Sequence, residues 1–345
     1  MKKIKLSFLI GFMLLSYTEA LTQVNDSVRN YIDSALNIMQ TKALNGKGLD
    51  WEAIKVTAYQ KAAIAKNTKE AFPALQYAFE QLKDYHGVVA NADTFYRYPP
   101  PKDFSTALSP GIKEEFLKGN RIVTAVLPEN IAYLRVPGMM VIDEAEVHKN
   151  ANMLRDSLCM LLNEKPRGII IDLRMNVGGN SAPMQSGIGP LFNASVLGYS
   201  VNRDGQISSE IRLKDGVTVD AEGNKTIAIT TSCSASSTMP IAVLIGPSTV
   251  SSGEILAALL KAQPNVKLFG ETTPGFCNAT EGFYIMENKG YLLLSVSRIA
   301  DATKHIYQEM LVEPHVYVKS DDNYVDLTAD PTVKLALHWL GFTRE

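Results

Sequence analysis

The chain has 345 residues, 46% of them hydrophobic and 20% charged. That balance excludes a disordered or fibrous protein and leaves enough apolar material for one large or two modest globular domains. A formal charge of −2 offers no basic surface for a nucleic-acid partner. Three cysteines, Cys159, Cys233 and Cys277, are too few and too dispersed for a disulfide framework or a zinc site; at most one disulfide forms, and a Cys233–Cys277 pairing is left open.

In chain order, residues 1–20 have the form of a secretory signal peptide: a basic start (Lys2, Lys3, Lys5), an apolar run over 6–15 and a small-residue exit at Thr18, Glu19 and Ala20. The run is too short to persist as a bilayer span, and no cysteine near the exit offers a lipid attachment point. The mature chain is therefore expected to be exported, periplasmic or extracellular, with no stable membrane span.

Residues 21–120 follow as an N-terminal helical region and connector. Val28, Tyr31, Ile32, Ala35, Leu36 and Met39 recur at three-to-four spacing, as do Ala74, Leu75, Ala78, Phe79 and Leu82, which is the period of an amphipathic helix. Pro73 suits the first turn of the last of these helices, and residues 51–65 fit another between them. The helical stretch stops at Asp84, Tyr85, His86 and Gly87, where the glycine is a natural end. Pro99, Pro100 and Pro101 form a stiff polyproline segment within a connector over 90–120.

From 121 to 345 strands and helices alternate. Strands are expected at 122–127, 131–136, 168–173 and 241–245, with helices at 144–162, 184–192 and from 252 onward. This is an α/β core of strand-turn-helix units. Residues 195–239, rich in Asp, Gly and Asn turns, make a β-rich excursion. Short strands at 267–269, 282–286 and 291–296 precede a closing helix at 331–340.

Two of the strand-to-helix turns carry candidate chemistry. The apolar strand at 241–245 breaks at Gly246 and Pro247, passes through Ser248, Thr249, Val250 and Ser251, and enters an apolar helix at Ser252. Unpaired amides and the positive end of the helix dipole face outward at such a point. Ser251 is there a candidate nucleophile, and the N–H of Ser252 half of an oxyanion hole. The plainer possibility is a helix N-cap with Glu254 completing the first turn. The second turn, Asn176-Val177-Gly178-Gly179 after the strand at 168–173, lets backbone amides approach a carbonyl closely, so Gly178 and Gly179 are candidates for the other half. The G-x-G-x-x-G spacing of a dinucleotide site is absent.

Six stretches occur in order: Asp84-Tyr85-His86, residues 131–136, Asp172-Leu173-Arg174-Met175-Asn176-Val177-Gly178-Gly179, Thr249-Val250-Ser251-Ser252-Gly253-Glu254, Gly270-Glu271-Thr272-Thr273-Pro274-Gly275 and Val312-Glu313-Pro314. On these the chain resembles the C-terminal processing (tail-specific) serine peptidases and the related tricorn core peptidases, with their crotonase-like α/β fold. The resemblance implies Ser251 as nucleophile and the amides of Ser252 and the Gly178-Gly179 turn as oxyanion hole. The lysine base of the processing branch is replaced by Phe276. The tricorn-like branch implies His86 as base instead, oriented by a late glutamate whose position falls on Gln308 with Glu309 adjacent; its serine before the histidine is Tyr85 here. The binding domain often inserted after the histidine in processing peptidases is missing.

These residues make an exported serine peptidase acting on peptides or proteins the leading expectation, with no cofactor and no metal. A catalytically inactive peptide- or ligand-binding protein on the same fold is the alternative, favoured by Phe276, Gln308 and Tyr85. A crotonase-type acyl-thioester enzyme shares the amide oxyanion hole, but its nucleotide-linked substrates are intracellular.

Overall fold

The computed structural model describes residues 24–100 and 107–342; the expected signal peptide lies outside them. The described residues divide into two compact units, one formed by residues 24–100 with 279–297 and the other by 107–278 with 298–342.

The N-terminal unit is built on three helices, α1 (Asp26–Lys42), α2 (Trp51–Lys61) and α3 (Phe72–Leu82). Side-chain caps start the first two: Asn25 accepts from Val28 N, and Asp50 from Ala53 N. Pro73 occupies the first turn of α3, and Lys83 ends it in the left-handed conformation. The apolar face of α1 and that of α3 are buried together, joined by Ile285, Leu292 and Leu294. Those last residues belong to a hairpin, β11 (Asn278–Ile285) with the start of β12 (Gly290–Asp301), which clusters with the helices although it lies some two hundred residues further along the chain. Two short strands, β1 (Val88–Ala90) and β2 (Phe95–Tyr96), complete the unit, β1 pairing antiparallel with residues 291–293.

The larger unit contains β3 (Val123–Leu127), β4 (Ile131–Arg135), β5 (Gly168–Asp172), β9 (Ile241–Ile245), β10 (Val266–Gly270) and β13 (Val316–Tyr317) in one sheet, in the order β13-β10-β9-β5-β4-β3. All neighbours are parallel except the β3–β4 hairpin. The crossovers carry α5 (Glu144–Asn163), between β4 and β5, and α7 (Ser252–Lys261), between β9 and β10; α6 (Ser181–Gly187) follows the glycine turn after β5. Every residue of β5 and β9 is buried, as expected for strands covered on both faces. A C-terminal helix, α8 (Pro331–Phe342), packs Val333, Ala336 and Leu340 against Ile170, Ala242 and Phe269 of the sheet. The β-rich excursion holds β6 (Val196–Val201), β7 (Ile207–Lys214) and β8 (Val217–Thr218), with β6 also pairing to residues 298–301 at the end of β12 (Gly290–Asp301).

The structure adds a helix where only a connector was expected, and it settles the cysteine pairing that the sequence left open. The connector contains a helix, α4 (Pro110–Leu117), started by Ser109, whose side chain accepts from Ile112 N, with Pro110 in the first turn. The disulfide is Cys159–Cys233, and Cys277 is free and buried. Cys159 lies on the same stripe of α5 as Asn152 and Asp156, which hold Thr230 and Thr231 of the segment leading to Cys233.

Candidate active site

The adjacent parallel strands β5 and β9 end side by side, so their turns emerge together at the carboxyl edge of the sheet, the usual position of sites in open α/β sheets. Side chains stitch the two turns to each other. Thr249 Oγ1 donates to the Leu173 carbonyl at 2.8 Å and accepts from Gly246 N at 3.0 Å. Ser248 Oγ donates to the Arg174 carbonyl, and Val250 N to the Asn176 carbonyl at 2.9 Å. Asn176 is wholly buried, and its side chain donates to the carbonyls of Val136 and Pro137. Residues 246–250 therefore have little freedom relative to 173–176.

Ser251 caps α7 with φ 56° and ψ −117°, a conformation that costs a non-glycine residue about 1–3 kcal/mol. The same turn brings Gly178 against it. A Cβ at Gly178 would stand 2.8 Å from Ser251 Cβ and 3.3 Å from its Oγ, and the glycine has φ 92°. Only glycine fits at this approach. Ser252 Oγ donates to the Gly179 carbonyl at 2.6 Å, locking the serine pair to the glycine pair.

The amides divide into two sets. Gly178 N donates to Asn176 Oδ1 at 3.0 Å, and the Gly178 and Met139 groups bridge through Met139 N and the Gly178 carbonyl at 2.9 Å. Among the described residues no acceptor takes up the amides of Gly179 or Ser252. These are the donors available to a third party.

Beneath the turn sits Glu254, wholly buried. Its Oε2 accepts from Ser251 N and from Phe276 N, both at 2.8 Å, and its Oε1 from Gly275 N at 2.9 Å. The Thr273 hydroxyl lies near enough to the carboxylate to favour its ionised form. Burial outweighs these donors and pushes the carboxyl up to about 7. In the sequence Glu254 stands only as a helix-capping residue; its hold on the 273–276 turn comes from a part of the chain with no local signal. Phe276, where the processing branch has its lysine, is buried.

A charged cluster supports the other turn. Arg174 is buried and donates from Nε and Nη2 to Asp172, and from Nη1 to Asp322 at 2.6 Å and Asp330 at 3.0 Å. Tyr133 donates to Asp172 Oδ2 at 2.7 Å, and the Tyr324 ring lies over both Arg174 and Arg135.

Gln308 and Glu309 are exposed on the turn closed by Met310 N and the Tyr307 carbonyl at 3.1 Å. That turn runs beside the 273–277 segment through Cys277 N and the Met310 carbonyl at 2.7 Å. His86 belongs to the N-terminal unit. There Asp84, buried, accepts from His86 N at 3.1 Å and Gly87 N at 3.0 Å with Oδ1, while Ser295 donates to the same carboxylate from its amide and its hydroxyl. Gly87 admits no side chain, since a Cβ would meet the Leu293 carbonyl at 2.6 Å. The turn that presents His86 is thus fixed by a carboxylate that the sequence names within a motif but gives no task. Among the described residues no group of three or more His, Cys, Asp or Glu could hold a metal ion, and no helix is long and apolar enough to cross a membrane.

The chain is 26% identical over 309 residues to a nisin-resistance protein of Lactococcus lactis subsp. lactis, spanning 90% of this chain and 89% of the relative. In fold it is similar to a lipoprotein from Streptococcus agalactiae, at a TM-score of 0.66 and 20% identity over 92% of this chain and 97% of that one. It is also similar to the photosystem II D1 C-terminal processing protease, at a TM-score of 0.58 and 14% identity over 86% and 94% of the two chains. Residues 130–318, more than half of the chain and including both turns, match the model of peptidase family S41. The chain belongs to peptidase family S41.

Proposed function

We propose that this S41 family member is an exported serine peptidase in which Ser251 is the nucleophile and His86 the general base. Ser251 Oγ attacks the peptide carbonyl carbon while His86 takes its proton; the histidine then returns a proton to the leaving amine, and water resolves the acyl-enzyme by the same route. The amides of Ser252 and Gly179 hold the oxyanion, and Gly178 permits the close approach. Gln308 or Glu309 orients the imidazole. One observation carries the reading: a serine held in a strained conformation at a helix N-terminus, in contact with a left-handed glycine turn and beside two amides that have no acceptor among the described residues. The Cys159–Cys233 disulfide supports export, because such bonds persist in oxidising compartments. The substrate is a peptide or protein, and the relative named for nisin resistance makes nisin the first one to assay.

The test is labelling by a fluorophosphonate probe. Wild type should react, and Ser251→Ala and His86→Ala should each lose at least about a thousandfold in rate with unchanged circular dichroism. A folded wild type that stays unlabelled from pH 6 to 9, the range in which a histidine base operates, would instead select the second reading, an inactive peptide- or ligand-binding protein. That reading is favoured by the buried Phe276 in the lysine position and by a glutamine at 308.

A further inference from the structure

We propose that Glu254 is the positioning residue of the nucleophile turn. Its ionised carboxylate, acting purely as an acceptor, holds the amide of Ser251 and the 273–276 turn in one arrangement, and a proton on it releases them. The proposal rests on Ser251 being the nucleophile.

A glutamate three residues after an N-cap usually closes a capping box and does no more. Glu254 does more in two respects. It is wholly buried, and it binds a second segment through Gly275 N and Phe276 N, 21 and 22 residues away. One oxygen, Oε2, is shared by the amides of Ser251 and Phe276, so the strained serine and the distal turn are fixed by the same atom.

The partners also dictate which protonation state is competent. Three of them are backbone amides, which only donate. The fourth, Thr273, already accepts from Val312 N at 2.8 Å through its hydroxyl. A protonated Glu254 must turn an O–H toward this set of donors, and therefore either drops an amide or makes the Thr273 hydroxyl reverse and accept with its second lone pair.

Among the described residues no ion pair joins this carboxylate to a cation, and the causes that set its state are burial and hydrogen bonds. Residues 246–253 and 175–180 contain no ionisable side chain. The titratable group facing it from the 270–277 segment is Cys277, whose thiol is pushed up by burial and by Glu254 itself, and Cys277 in turn adjoins the buried Tyr307. Burial accordingly brings Glu254 into the range where it titrates near neutrality.

Two readouts on the full chain test this. The first is the rate of fluorophosphonate acylation from pH 5 to 9 in wild type, Glu254→Gln and Thr273→Val. The second, which needs no catalysis, follows the amide resonances of Ser251, Gly275 and Phe276 over the same range. In wild type the three amides should titrate with one midpoint, and the acid limb of acylation should fall with two protons. Glu254→Gln should abolish the shared midpoint, leave a one-proton limb and slow acylation about 10- to 100-fold at pH 8. Thr273→Val, which removes a donor to the carboxylate, should move the midpoint upward by on the order of half a pH unit.

Amides that do not titrate together, or a Glu254→Gln protein with the wild-type rate and slope, overturn the proposal. Should Glu254→Gln fail to fold, an unmoved midpoint in Thr273→Val overturns it equally. If wild type is not acylated at any pH, the serine-peptidase reading fails, and the amide titration alone decides whether Glu254 holds the turn.

Discussion

Asp172 and Glu254 are both wholly buried carboxylates of the same unit, one under each turn of the site, and they are held in opposite ways. Asp172 faces a cation: Arg174 grips both of its oxygens, and Tyr133 adds a third donor. Glu254 is met, among the described residues, by backbone amides and a hydroxyl rather than by a paired cation. Burial pushes both carboxyls upward, but at Asp172 the charge of Arg174 overcomes it and leaves the group below the ordinary carboxylate range, whereas at Glu254 burial prevails. A neutral donor set can orient a buried carboxylate without matching its charge. The turn carrying Gly178 and Gly179 thus stands on a foundation that does not titrate near neutrality, and the turn carrying Ser251 on one that does.

The largest effect should come from removing the cation. Arg174→Leu leaves Asp172, Asp322 and Asp330 buried without their partner, and should cost about 3–5 kcal/mol in urea unfolding at pH 7.5 or prevent folding. A loss under about 1 kcal/mol would show that Asp172 needs no cation, and the contrast with Glu254 would collapse.

Next comes the pH dependence of stability, whose sign is opposite for the two groups. The carboxyl of Glu254 lies higher in the fold, at about 7, than its ordinary 4.5. The folded state therefore holds its proton more tightly than the unfolded one. Its contribution is complete below about 4.5 and is lost as pH rises through about 7, a change on the order of 3 kcal/mol. Asp172, lowered in the fold, contributes above its ordinary 3.8 and loses that contribution as pH falls further. Chemical unfolding of wild type and Glu254→Gln between pH 5 and 8 measures this. Wild type should lose stability relative to the variant as pH rises, and parallel curves would refute the assignment.

The smallest effect tests the neutral part of the Asp172 site. Tyr133→Phe deletes one hydrogen bond to a charged acceptor that keeps its arginine, and should cost about 1.5–3 kcal/mol, less than loss of the cation itself. A cost equal to that of Arg174→Leu would mean that the hydroxyl, rather than the charge, sets the state of Asp172.

Much of this organisation is legible locally. The spacing of Val28, Tyr31, Ile32 and Met39 corresponds to the buried face of α1. The apolar runs at 168–172 and 241–245 are fully buried strands, and the turns after them carry the left-handed glycines and the strained serine. Helix α4 had its own signal, a serine followed by a proline, but the polyproline run just before it favours extended backbone.

What the sequence by itself determined is the set of elements, the two glycine- and serine-bearing turns and the motif order of peptidase family S41. Periodicity, capping and turn chemistry act over a few residues, so each can be read in place. Only the tertiary structure decided that Cys159 rather than Cys277 pairs with Cys233, that Asn176 takes the amide of Gly178, and that Asp84 and Glu254 hold the turns of His86 and Ser251. Each depends on which distant groups are buried together, because a carboxylate or amide withdrawn from water binds whichever donors the packing places around it.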